Sequence, residues 1–203
     1  MSQLHEIVSS RAATFDVIFV HGLDGDAFDT WNFRAPSSQA DWLANDRPDA
    51  AIWSVGYDAA STSWHGASMP LSDRAVNMLA LLNAYDLGAR PIVFVAHSMG
   101  GLVVKQMLRE ATSTSTEYNA VAKATRGIIF IATPHTGSDL ASLTRYLGFF
   151  LRSSVALGEL QSHAPALREL NRWFRNQSRD MGVSLKVMFE TRPTLGVQVV
   201  SAS

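Results

Sequence analysis

Three short apolar runs stand out along the chain: Asp16–Val20, apolar after its opening aspartate, Pro91–Val95 and Gly127–Ile131. Each is rich in β-branched and aromatic residues. An amphipathic strand would alternate, so unbroken runs of this length predict strands of a parallel sheet covered on both faces. Ala51–Val55 and Leu185–Phe189 are weaker versions of the same pattern. Between them the period lengthens. Asp73–Tyr85 carries apolar residues at helical spacing, with Ser72 or Asp73 as its N-cap. Gly101–Ala111 predicts a second helix, and Pro165–Asn176 a third, with Leu167, Leu170, Trp173 and Phe174 on one side. Strand alternating with helix implies a mostly parallel central sheet flanked by helices, an α/β fold.

In such sheets, sites form beyond the carboxyl ends of the strands. Polar residues gather at five predicted strand ends: His21-Gly22-Leu23, Tyr57-Asp58, His97-Ser98-Met99, Thr133-Pro134-His135 and Glu190-Thr191.

Composition narrows the chemistry. The 203 residues are 47% hydrophobic and 17% charged, enough for one domain with a substantial core. A formal net charge of −1 without a basic excess excludes a general nucleic-acid binder. There is no cysteine, which excludes disulfides, thiolate metal sites and a cysteine nucleophile. Residues 1–14 are polar and read as an N-terminal extension, with the domain over 15–203. No stretch has the roughly 20 apolar residues of a membrane span, and no signal-peptide core is visible. The expected location is the cytoplasm. No cofactor and no metal are expected; Asp24, Asp26 and Asp29 lack the later glycine and glutamate of a calcium loop.

The strongest chemical signal is Ala96-His97-Ser98-Met99-Gly100-Gly101. A buried strand runs into a tight turn and a helix begins at once. That arrangement puts a serine hydroxyl at a strained apex, where neighbouring residues must be small. Gly100 and Gly101 are small; Ala96 stands where a glycine is usual. The same residues could also form a plain serine N-cap, but a second motif argues for chemistry. His21-Gly22-Leu23-Asp24-Gly25 follows an early strand, where a loop lends one backbone N–H to an oxyanion hole. The expected donors are Leu23 and Met99. Two such donors contribute ~3 kcal/mol each to barrier lowering. His21 reads as a brace for this loop. Gly22, His21, His97 and His135 are the expected lining of the substrate site.

These motifs, together with Asp29-Thr30-Trp31, Ser54–Asp58 and Gly127–Ser138 in the same order, resemble one group of serine hydrolases. It includes the DUF676-type lipases, the lipase-like domain of the SERAC family, the GPI inositol-deacylase-like proteins and hydrolase domains fused to NACHT or NB-ARC modules. The resemblance implies an α/β-hydrolase fold and hydrolysis of acyl esters, lipids among them. It also implies an acid at Glu190, which is followed by Thr191 and Pro193 as in that group. Asp139 and Asp58 are lesser candidates for the acid. His135 is an alternative base, but this fold places acid and then histidine later in the chain.

Six histidines are present: His5, His21, His65, His97, His135 and His163. None follows Glu190. The catalytic histidine, with a last strand and helix, is therefore expected beyond Ser203, and Glu190 would orient it. The expected partners are an acyl ester or lipid substrate, a transient membrane surface, and further domains of a larger protein. Arg145–Leu160 is strongly apolar and reads equally as an acyl-binding wall or as a packed helix; Trp64-His65 could line the same mouth. A hydrolase-fold interaction module and a transacylase are the competing functions.

Overall fold

A computed structural model describes residues 2–10, 12–35, 38–59, 70–113, 118–135 and 154–188, with the side chains of 39 and 154–164 left out. Trp64, His65, Thr136–Ser138, Asp139 and Glu190 lie outside these residues, as do the side chains of Arg145–Leu160 and His163.

The elements run β1 (Gln3–Val8), β2 (Phe15–Val20), a 3-10 turn (Asp29–Trp31), α1 (Gln39–Asp46), β3 (Ala50–Gly56), α2 (Leu71–Ala84), β4 (Ile92–His97), α3 (Met99–Ser113), α4 (Asn119–Ala124), β5 (Thr125–Ile131), α5 (Ser154–Asp180) and β6 (Ser184–Met188). Among the described residues the strands form one sheet in the order β1-β3-β2-β4-β5-β6. All neighbours are parallel except β1, which pairs antiparallel with β3. The mostly parallel α/β sheet read from the apolar runs is therefore present, with β2 to β6 each within a residue or two of its expected bounds. The polar segment before residue 15 supplies β1, so it is part of the sheet.

The central runs are covered on both faces, as their composition requires. On one face Ile18, Val20, Phe94, Ala96 and Phe130 pack with Met78 and Leu82 of α2, Val103, Val104 and Met107 of α3, and Phe174 of α5. On the other, Val17, Phe19, Ile52 and Val95 meet Trp31 and Ala40. Helix α2 starts two residues before the expected Asp73, at N-cap Pro70, with no side-chain cap. Ser38 and Asp41 form a reciprocal capping box at the start of α1.

Register positions the site. Val20 lies opposite Ala96, and Ile131 opposite His97. The carboxyl ends of β2, β4 and β5 therefore finish side by side, bringing His21, Ser98 and Ala132 together.

Candidate functional site

Ser98 occupies the turn between β4 and α3 with φ 49°, in the left-handed region. A non-glycine residue there costs about 1–2 kcal/mol, which the surroundings must offset. They do so by fixing the backbone on both sides. The Ser98 N–H donates to the Ile131 carbonyl at 2.8 Å, and the Gly101 N–H donates back to the Ser98 carbonyl at 3.1 Å. Among the described residues none is hydrogen-bonded to Ser98 Oγ.

The glycines around the turn are required by space. A Cβ on Gly22 would stand 2.8 Å from Ser98 Cβ; one on Gly100 would stand 2.3 Å from the His21 carbonyl oxygen; one on Gly101 would stand 2.2 Å from Thr133 Oγ1. Loop 21–25 thus lies directly against the serine turn. Ala96 is fully buried in the core, where its methyl group is accommodated.

His21 is fully buried and stacks on Tyr57 with ring centroids 4.4 Å apart. The Tyr57 N–H reaches His21 Nε2 at 3.3 Å, so that nitrogen accepts and Nδ1 carries the proton, which it donates to the Gly22 carbonyl at 2.9 Å. The Tyr57 hydroxyl donates to the His21 carbonyl at 2.7 Å. Burial holds the His21 imidazole below its ordinary pKa and pushes the Tyr57 phenol up, so both stay neutral. With both ring nitrogens engaged, His21 braces the loop from below. The sequence pattern did not single out Tyr57 as its partner.

His97 continues the face of β4 opposite α3 and meets Trp31 edge-on at 6.3 Å. Burial lowers its pKa, and His21 adds to the effect. Its Nδ1 would be 3.1 Å from a Cβ on Gly22, so it borders the glycine loop. His135 sits beyond β5 with Nδ1 3.1 Å from the Nζ of Lys105. Asp58 follows β3 as an exposed residue whose carbonyl accepts from Arg74. Asp26 is engaged with its own loop, accepting from the Phe28 and Asp29 N–H groups at 2.6 and 2.9 Å, and Asp29 pairs with Arg34. Among the described residues no helix is long and apolar enough to cross a membrane.

Residues 14–157 match the family described as "Putative serine esterase (DUF676)". Protein SERAC1 of Mus musculus is 36% identical over 208 aligned residues, covering 92% of this chain and 32% of its own length. The chain thus spans about a third of the length of this relative. Among solved structures, the lipase BlEst2 of Bacillus licheniformis aligns with TM-score 0.58 at 19% identity, over 96% of this chain and 73% of that one. An inhibited esterase B of Lactobacillus rhamnosis aligns with TM-score 0.51 at 14% identity, over 88% and 66%. These likenesses show the α/β-hydrolase fold, and the family match with the SERAC1 identity shows that the chain belongs to the DUF676 serine esterase family.

Proposed function

We propose that the protein hydrolyses carboxylic esters, lipid or other acyl esters among them, through an acyl-enzyme on Ser98. The observation that carries this reading is the Ser98 backbone, held at φ 49° between β4 and α3 with the glycine loop packed against it. A serine in an ordinary N-cap has extended backbone and needs no such strain. The family description and the esterase and lipase names of the structural neighbours support ester chemistry.

In this mechanism Ser98 Oγ attacks the ester carbonyl and the proton passes to a histidine base. The Leu23 and Met99 N–H groups receive the oxyanion; Met99 is the first residue of α3, where the helix dipole also favours negative charge. Gly22 and His97 border the carbonyl end of the site, while His21 and His135 act from behind by holding loops. Glu190 orients the base and stabilises its imidazolium. Collapse of the tetrahedral intermediate expels the alcohol, and water then releases the acid. Transfer to a second alcohol would make the same site a transacylase. Because the chain spans about a third of SERAC1, an interaction role within a larger protein is the reading from another class.

The test is hydrolysis of p-nitrophenyl butyrate by the full-length gene product. Ser98→Ala should lower kcat by about 10⁶-fold, as loss of a nucleophile does elsewhere. Equal rates with and without the Ser98 hydroxyl would overturn the proposal.

A further inference from the structure

Lys105 lies two turns into α3 and is 1% exposed. A lysine is almost never this buried unless its ammonium group is paired or hydrogen-bonded. Its Nζ donates to Asn171 Oδ1 of α5 at 2.6 Å and reaches His135 Nδ1 at 3.1 Å. It also lies 5.0 Å from the ring centre of Phe130 and 5.6 Å from that of Phe174, within cation–π range. An ammonium has only donors, so His135 Nδ1 must accept, and the ring proton of neutral His135 sits on Nε2.

The placement of this cluster connects it to the serine turn. Residues 98, 101 and 105 recur at helical spacing along one side of α3. Each is fastened to the segment that leaves β5. The Ser98 N–H donates to the Ile131 carbonyl, Gly101 packs on Thr133, and Lys105 holds His135. Every second residue of 131–135 is thus tied to a successive turn of the helix that begins at Met99. Ala132, within this segment, has φ 48°, so the backbone there is also held against its local preference. The third of these fastenings is made by the side chain of a buried lysine.

We propose that Lys105 is a positioning residue for the esterase reaction: through His135 and Asn171 it fixes segment 131–135 against α3, and so sets the Ser98 turn and the Met99 N–H. This rests on the reading of Ser98 as nucleophile. A shift of the turn by about 1 Å is enough to lower the rate by about a hundredfold. Stability alone does not call for the lysine, since apolar residues of similar volume commonly replace buried charges at no cost or with a gain.

The experiment measures kcat and KM for p-nitrophenyl butyrate in the full-length gene product, with folding checked by circular dichroism. In Lys105→Met and in His135→Leu, kcat should fall about tenfold to a hundredfold while KM changes little. In His135→Asn the amide oxygen can stand where Nδ1 accepts, and kcat should recover to within about threefold of the parent. A folded Lys105→Met or His135→Leu protein with parental kcat would overturn the proposal. So would a His135→Asn protein no better than His135→Leu, even if Lys105→Met fails to fold. Failure of the Ser98 reading would be seen separately, as hydrolysis by the parent protein that survives Ser98→Ala.

Discussion

Alanine at position 100 would place a Cβ 2.3 Å from the His21 carbonyl oxygen and 2.5 Å from that of Val20. Carbon and carbonyl oxygen approach to about 3.3 Å even in favourable contacts. Helix α3 and the end of β2 would therefore have to separate by about 1 Å. Neither obstacle is a side chain that can rotate away, and β2 is hydrogen-bonded between β3 and β4. The strain of one such overpacked methyl group is about 1–3 kcal/mol, and each kcal/mol lowers Tm by about 2–4 °C in a domain of this size. The kinetic effect should be larger in proportion. The two N–H groups assigned to the oxyanion lie on opposite sides of this contact, Leu23 after β2 and Met99 at the start of α3. Moving them apart by about 1 Å should cost about a hundredfold in kcat.

The assay is kcat for p-nitrophenyl butyrate with Tm measured on the same sample. Gly182→Ala is the control. It has φ 65° but nothing within 4 Å of its Cβ, so it should lose about 1–2 kcal/mol to backbone strain and leave kcat unchanged. If Gly100→Ala loses stability but keeps kcat within about twofold of the parent, the spacing of α3 and β2 does not set the oxyanion geometry, and the reasoning fails.

The structure carries other expectations. His21→Ala should leave the Tyr57 N–H buried without a partner and the Gly22 carbonyl with the Gly25 N–H alone, lowering stability by about 1–3 kcal/mol and kcat with it; denaturant unfolding with activity per folded molecule reads both. Because His21 and His97 both have lowered pKa values in the fold, the unfolded chain takes up protons there that the folded chain refuses. Their contribution is complete above the ordinary value of 6.5 and shrinks as pH falls below it, so Tm should drop between neutral and mildly acid pH. That slope should flatten in His97→Gln, and an unchanged slope would count against the assignment. Asp16 is buried against Arg90, at 2.6 Å to Nη2 and 3.2 Å to Nε, and against Trp53 Nε1 at 3.0 Å. Arg90→Ala should cost about 1.5–3 kcal/mol in thermal unfolding while leaving kcat of the folded protein unchanged, since the pair lies at the opposite end of β2 from the site.

What could be read from the sequence follows from what burial does to composition. Strands β2, β4 and β5 are covered on both faces, so they are apolar throughout and stand out. Their carboxyl ends placed Ser98 beside the glycine loop, while His135 lies against Lys105, two turns into α3. Strand β1 did not stand out because it is the edge of the described sheet: Leu4 is its one buried residue, and the rest reads as a polar tail. Helix α1 was legible in principle, since Ser38 and Asp41 have capping-box spacing, but its short apolar pattern is weak. Lys105 was hidden for another reason. A lysine within a helical pattern ordinarily faces water, and nothing in local spacing shows that His135 and Asn171, 30 and 66 residues away, converge on it. Tyr57 was visible only as a polar strand end; its bond to His21 depends on the register of β2 with β3.

The central claim is that Ser98 is the nucleophile. It is tested most directly by treating the full-length gene product with a fluorophosphonate, which bonds only to an activated serine, and mapping the adduct by mass spectrometry. The account predicts one adduct, on the peptide carrying Ser98, lost in Ser98→Ala and slowed in Gly100→Ala. A folded protein that takes up no label at Ser98, or that is labelled equally after Ser98→Ala, would contradict it.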